Sequence, residues 1–277
     1  MPILVITGTG TEVGKTVTTA AVAATALAAG RTVAVLKPAQ TGVRPDERGD
    51  ADEVARLAGD VRTLELARYP DPLAPATAAR RASLPPVRPA EVAEAAAKLA
   101  AEYDVVLVEG AGGLLVRFDD EGGTLADAAE LLDAPVLVVT SAGLGTLNAT
   151  ELTARELFRR DIHLTGIVIG SWPDSPDLAA RCNLADLPVV AGAPLIGALP
   201  AGVGTLPPAN FRTVAGRWLA PTLGGTWNAA DFEGREAPLR QGRGELRDQP
   251  PPAESQVTAP PPPTTAPVRS ATESPTA

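Results

Sequence analysis

Gly8-Thr9-Gly10-Thr11-Glu12-Val13-Gly14-Lys15-Thr16 follows directly on the apolar run Ile3-Leu4-Val5-Ile6. A buried strand feeding a glycine-rich turn that ends in Gly-Lys-Thr is the layout of a phosphate-binding loop. Glycines let backbone N–H groups close around phosphate oxygens, and the helix that follows adds its positive N-terminal end. In that layout Lys15 reaches the β- and γ-phosphates and the Thr16 hydroxyl ligates Mg2+. The spacing is Gly8-x5-Gly14 rather than the commoner x4, because Thr9 stands where the first glycine would be.

Lysine usage singles out a second residue. Of 24 basic residues only Lys15, Lys37 and Lys98 are lysines. A lysine is a compact point charge that fits between phosphates where a planar guanidinium does not. Lys37 ends the strand-like run Thr32–Leu36, and Thr41-Gly42 follows with a hydroxyl and an accessible backbone. There it is placed to neutralise a γ-phosphoryl group as charge develops. Lys98 lies in an alanine-rich helical run and reads as a surface residue. The strand Val105-Val106-Leu107-Val108 closes on Glu109, followed by Gly110-Ala111-Gly112-Gly113, which is the place of a magnesium-directed carboxylate. Asp50 and Asp52 open a helix after Gly49, and Asp50 reads as a helix cap, a magnesium ligand or both.

Short β-branched runs near 3–7, 32–36, 104–108, 135–140, 164–169 and 195–199 alternate with helix-like segments. The helices fall near 15–29, 50–58, 90–102, 124–132, 146–160, 176–186 and 208–219. This pattern predicts an α/β fold, a doubly wound, mostly parallel sheet with helices on both faces, of the P-loop NTPase type. Ligands bind such sheets at the carboxyl ends of the strands, where the loop, Lys37 and Glu109 all fall.

Net charge is −9 and no basic stripe occurs, which argues against a nucleic-acid partner. Cys182 is the sole cysteine and His163 the sole histidine, which excludes a disulfide framework, a cysteine zinc site and a histidine-based triad. No run of 18 apolar residues is present, so no membrane association and a cytoplasmic location are expected. From residue 221 apolar periodicity stops, and Pro250–Pro252 and Pro260–Pro263 favour extended conformations. The domains predicted are 1–220 as the globular P-loop part and 221–277 as a disordered, proline-rich tail.

The loop from Gly8 to Thr16, Lys37-Pro38 with Thr41-Gly42, Asp50, Val108–Gly113 and Leu144-Gly145-Thr146-Leu147-Asn148 together resemble dethiobiotin synthetase, in order and over residues 1–220. Ile169-Gly170-Ser171-Trp172-Pro173-Asp174 resembles the actinobacterial branch. The resemblance implies closure of a cyclic urea from 7,8-diaminononanoate and CO2, with ATP or another nucleoside triphosphate and Mg2+. A carbamate forms on one amine, its oxygen takes the γ-phosphoryl group to give a carbamic–phosphoric anhydride, and the second amine closes the ring. It implies Thr16, Asp50 and Glu109 as magnesium ligands, with Lys15 and Lys37 as catalytic cations. Glu12, Val13, Gly14, Lys15, Thr16 and Val17 resemble the loop that wraps the phosphates, with Glu109, Gly110, Ala111 and Gly112 beside it. Thr11 and Thr41 fall at substrate-contacting positions. The family's substrate lies at a homodimer interface, where Gly145, Thr146 and Asn148 of the partner receive its distant carboxylate.

One departure concerns the base. Many members carry Asn where this chain has Gly170, so base recognition falls to the backbone around Gly170-Ser171 and Leu199-Pro200-Ala201, which implies weak discrimination among bases. Two other classes have similar loops. A partitioning or cell-division switch ATPase carries a second lysine five residues before Lys15, where this chain has Gly10. A cobyrinate or cobyrate amidating synthetase needs a glutaminase domain with a nucleophilic cysteine, and Cys182 stands isolated.

Overall fold

In the computed structural model, which describes residues 2–236, seven parallel strands form one sheet in the order β3-β2-β4-β1-β5-β6-β7. The strands are β1 (Ile3–Gly8), β2 (Val33–Thr41), β3 (Arg62–Tyr69), β4 (Val105–Gly113), β5 (Val136–Thr140), β6 (Leu164–Trp172) and β7 (Leu195–Pro200). The α/β fold expected from the alternation is the one observed. Helices α1 (Lys15–Ala28), α2 (Asp50–Ala58) and α8 (Pro208–Val214) cover one face. On the other lie α3 (Pro75–Ala82), α4 (Pro89–Ala100), α5 (Leu125–Leu132), α6 (Thr146–Arg159), α7 (Leu178–Ala191) and α9 (Ala229–Glu236).

The central strands are buried on both faces, so they read as unbroken apolar runs. Alanines Ala20, Ala21, Ala23 and Ala24 bring α1 close against the sheet, a packing that larger side chains would forbid. Side chains alternate with period two, which fixes where the charges point. Lys37 shares the face of Val33 and Val35, and Glu109 that of Val105 and Leu107, the face roofed by α1 and α2. Ala34, Leu36 and Ala39 all join the opposite cluster, so the alternation shifts by one across Pro38.

Three differences from the expectation have physical causes. The edge strand β3 and the short α3 were not foreseen, since Arg62–Tyr69 is only half-buried and carries charges. Helix α7 runs through Pro188 to Ala191 instead of stopping near 186. Finally, the tail does not begin at 221. Trp227 is buried, its ring lies 5.5 Å from Phe232 on α9, and Phe232 meets Trp172 edge-on at 5.3 Å. Residues 221–236 therefore dock on the end of β6. The remainder of the expected tail, 237–277, lies outside the described residues.

Candidate active site

The carboxyl ends of the three neighbouring strands β2, β4 and β1 converge beneath a cavity of about 450 Å³. Its wall includes Thr11, Glu12, Gly14, Lys15, Thr16, Val17, Lys37, Thr41, Asp50, Ala111 and Gly112, all foreseen from the sequence. Gln40, Ala74, Pro75 and Val116 also line it and were not foreseen. The Pro75 contact was missed because α3 was missed, although Pro at its first turn and Arg80-Arg81 in its last are ordinary helix signals.

The loop is shaped to take an anion. Glu12 and Gly14 hold positive φ values of 59° and 94°, turning successive N–H groups inward. Gly14 caps α1 without a side chain, so the first N–H groups of the helix remain for a ligand. The buried Lys15 Nζ donates to the Gly10 carbonyl at 2.8 Å, and among the described residues it pairs with no carboxylate. Burial, and then the nearby Lys37 charge, hold its pKa below the usual lysine value. An incoming phosphate relieves both effects.

Behind the loop, Lys37 and Glu109 form a buried ion pair that Asp50 joins from the cavity wall. The Lys37 ammonium sits 2.6 Å from Asp50 Oδ2 and 2.9 Å from Glu109 Oε1, and donates to the Gly110 carbonyl at 3.1 Å. Lys37 and Glu109 are only 2% and 1% exposed, so this contact is screened little by water. Burial opposes the Lys37 charge, but the Glu109 and Asp50 carboxylates outweigh it and raise its pKa. Burial likewise works against the Asp50 carboxylate, yet Lys37 holds it below the usual value. Thr16 donates its hydroxyl to Glu109 Oε1 at 3.0 Å.

The cluster suits a divalent cation. Two carboxylates face one ammonium, and Glu109 Oε2 is buried with no hydrogen-bond partner. Such an oxygen costs free energy unless something occupies it. Among the described residues no group of three or more His, Cys, Asp or Glu is gathered for a metal. A hydroxyl with one or two carboxylates, completed by phosphate and water, is nonetheless what Mg2+ prefers. The two aspartates at the start of α2 make different contacts. Asp52 Oδ2 accepts the Gly49 N–H at 2.8 Å and so caps α2, leaving the Asp50 carboxylate to Lys37.

The other sequence-derived residues lie away from this wall. Gly170 is buried beneath the phosphate loop, where a Cβ would stand 2.1 Å from the Val13 carbonyl oxygen and 3.0 Å from Gly14 Cα. Its lack of a side chain is what lets the loop settle on β6. Ser171 is exposed, Leu199 is buried in the core, and Pro200 and Ala201 end and follow β7. At the start of α6, Gly145 and Asn148 are exposed, whereas Thr146 is buried. The Thr146 hydroxyl lies 2.6 Å from that of Thr140 and donates to the Ser141 carbonyl at 2.7 Å, so it is engaged inside the protein. Lys98 is the surface residue expected, paired with Glu94 at 2.6 Å.

An anion-cradling loop, a buried lysine and a cation-ready carboxylate pair at the strand ends define a nucleotide-using enzyme of the P-loop class. A family model described as an AAA domain matches residues 3–204. An ATP-dependent dethiobiotin synthetase of Streptomyces avermitilis is 81% identical over 232 residues, covering 84% of this chain and 98% of that relative. A synthetase of the same name from Streptomyces coelicolor is 75% identical over 238 residues, covering 86% and 100%. The solved septum site-determining protein MinD from Pyrococcus horikoshii covers 78% of this chain and 94% of its own, at 17% identity and a TM-score of 0.49. That likeness is too distant to bear on function. The chain belongs to the ATP-dependent dethiobiotin synthetase family, and is thus a ligase of biotin biosynthesis. Identity over nearly the full length of these relatives favours that family over the switch-ATPase and amidating-synthetase readings.

Proposed function

We propose that the chain closes the ureido ring of dethiobiotin from 7,8-diaminononanoate and CO2, converting ATP to ADP and phosphate. CO2 adds to one amine with loss of a proton to give a carbamate. The carbamate oxygen attacks the γ-phosphorus and ADP leaves. The second amine then attacks the carbamoyl carbon, and the C–O bond to phosphate breaks.

Each step concentrates anions, and this chain's residues answer that need. The loop from Glu12 to Val17 holds the triphosphate, with the Lys15 ammonium on its terminal phosphates. Lys37 offsets charge on the carbamate and on the phosphoryl group in transfer, a preorganised cation in a site that excludes water. Thr16, Asp50 and Glu109 would hold Mg2+, which when bound neutralises charge on the phosphate oxygens. Thr41 and Thr11 contact the diamine from the cavity wall.

The diamine's distant carboxylate is received at the N-terminus of α6 from a second copy of the chain, in a cytoplasmic homodimer. Exposed Gly145 and Asn148 serve that contact, and Thr146 holds the helix start. Leu144, 93% exposed beside them, supports a surface that a partner covers.

The observation that carries this reading is the buried Lys37 ammonium held 2.6 and 2.9 Å from two carboxylates beside a phosphate loop. Turnover with 18O-labelled bicarbonate, run briefly to limit exchange with water, tests the chemistry. Oxygen transfer through the carbamate places label in the released phosphate. Unlabelled phosphate beside labelled dethiobiotin would exclude the anhydride.

A further inference from the structure

Helix α2 is preceded by Gly49, which has no side chain to accept from its first N–H groups, yet Asp50 must be held there for its carboxylate to meet Lys37. The missing cap comes from the sheet. Gln40, at the end of β2 and almost fully buried, accepts the Asp50 N–H on its side-chain carbonyl at 2.7 Å. The atom facing an N–H at that distance must be the amide oxygen, which fixes the orientation of the group. Its Nε2 donates to the Thr41 carbonyl at 3.2 Å and holds that orientation.

Glycine at position 49 fits the same arrangement. A Cβ there would stand 2.8 Å from Gln40 Oε1, 2.8 Å from Glu65 Oε1 and 3.0 Å from an Arg68 guanidinium nitrogen. A serine or aspartate cap would displace the oxygen that does the capping. Arg68 adds a second anchor by donating to the Arg44 and Glu47 carbonyls while paired with Glu65, so the segment before α2 is tied to β3. One strand thus carries both the Lys37 cation and the amide that brings its carboxylate partner into reach.

We propose that Gln40 is a positioning residue for the reaction, setting the Asp50 carboxylate at the cation site through the Asp50 N–H. The proposal rests on the reading of Asp50 as a cation ligand. Removing groups that orient a metal ligand lowers metal affinity by about tenfold or more.

The test measures Mn2+ binding to the full chain with a non-hydrolysable ATP analogue, by electron paramagnetic resonance. It compares Gln40→Met, Gln40→Glu, Asp50→Asn and the Gln40→Met/Asp50→Asn double variant, with melting temperature and steady-state constants recorded for each. Gln40→Met keeps the shape but loses the acceptor, and is expected to weaken Mn2+ about tenfold while leaving KM for the diamine unchanged. Gln40→Glu keeps an acceptor oxygen and is expected to retain Mn2+ affinity within about threefold of wild type. Asp50→Asn weakens Mn2+, and adding Gln40→Met to it costs nothing further. Wild-type Mn2+ affinity in Gln40→Met, an additive loss in the double variant, or a raised diamine KM with intact Mn2+ binding would each overturn the role of Gln40 alone. Intact Mn2+ binding in Asp50→Asn would instead remove the reading of Asp50 beneath it. If Gln40→Met melts too low to assay, Gln40→Glu decides: loss of Mn2+ affinity in that folded variant overturns the proposal.

Discussion

Two clusters of opposite charge in this molecule use the same chemistry to different ends. Just after α6, Arg160 reaches Glu156 at 2.6 Å and both Asp127 and Glu130 on α5 at 2.7 Å. Under the phosphate loop, Lys37 reaches Asp50 and Glu109 at similar distances. The Arg160 network is partly open to solvent with every charge paired, and the Asp127 carboxylate also caps α5 through the Thr124 N–H and hydroxyl. In the Lys37 cluster Lys37 and Glu109 are buried, Asp50 borders the cavity half-buried, and Glu109 Oε2 has no partner. A solvated network contributes modestly to stability and asks for no ligand. A buried ion pair with one orphan oxygen and a second carboxylate at the cavity wall is poised for a cation and a phosphate. Distance alone does not separate scaffold from site; hydration and satisfaction do.

The contrast is sharpest at Lys37. Lys37→Met is expected to cut kcat by about 10²–10³, the usual cost of one preorganised charge. The buried Glu109 and the half-buried Asp50 also lose their cation, so the melting temperature at neutral pH falls too. Near-native turnover in the folded variant would break the contrast.

Next in size is Gly170. Its Cβ would strike the Val13 carbonyl, so Gly170→Asn should displace the phosphate loop and lower kcat/KM for nucleotide by about 10–10². The wild type, with no side chain at 170 to read the base, should use CTP, GTP and UTP within about 10–10² of ATP. A new ATP preference in the asparagine variant without loss of phosphate affinity would contradict the packing seen here.

Ending the chain after Ala220 removes Trp227 and Phe232, of which Trp227 packs on Phe232 and Phe232 on Trp172 beside the expected base site. Losing a buried Trp costs about 3 kcal/mol, or on the order of 10 °C in melting temperature. Ending it after Glu236 should change neither melting temperature nor turnover. Equal melting of the two truncations would return the boundary to 221.

The smallest effect belongs to the outer network. Hydrogen bonds from Arg159 and Arg160 lower the Glu156 pKa to about 2, from a usual 4.5. A depressed carboxylate stabilises the fold above pH 4.5 and loses that contribution as pH falls toward 2. Glu156→Gln should therefore lower melting temperature by only a few degrees at pH 7, converge with wild type near pH 2, and leave kcat unchanged. A kcat loss there would mean that the outer network also serves chemistry.

What was legible in the sequence follows the same division. Buried parallel strands announce themselves as β-branched runs, and the phosphate loop, Lys37 and Glu109 sit at their ends. Edge strand β3 was hidden because Arg62, Glu65 and Arg68 break its apolar run. The docking of 221–236 was hidden because Trp227 and Phe232 are two isolated aromatics beyond Gly224-Gly225, with no period around them. Helix α7 continues through Pro188 to Ala191, past the expected end near 186. Asp50 and Asp52 are the same residue type two positions apart, and only the placement of Gly49 and Lys37 separates the one that accepts the Gly49 N–H from the one that pairs with Lys37. Gln40 carried no signal, since its partner is a backbone N–H ten residues on.

The proposed function joins the Lys37 cluster and the phosphate loop in one diamine-dependent ligase reaction. The most direct measurement incubates the purified full chain with 7,8-diaminononanoate, bicarbonate, Mg2+ and ATP, following phosphate release and dethiobiotin by mass spectrometry. Phosphate release that requires the diamine and matches dethiobiotin one for one is the predicted result. Phosphate release at the same rate without diamine, or diamine consumed without dethiobiotin, would contradict it.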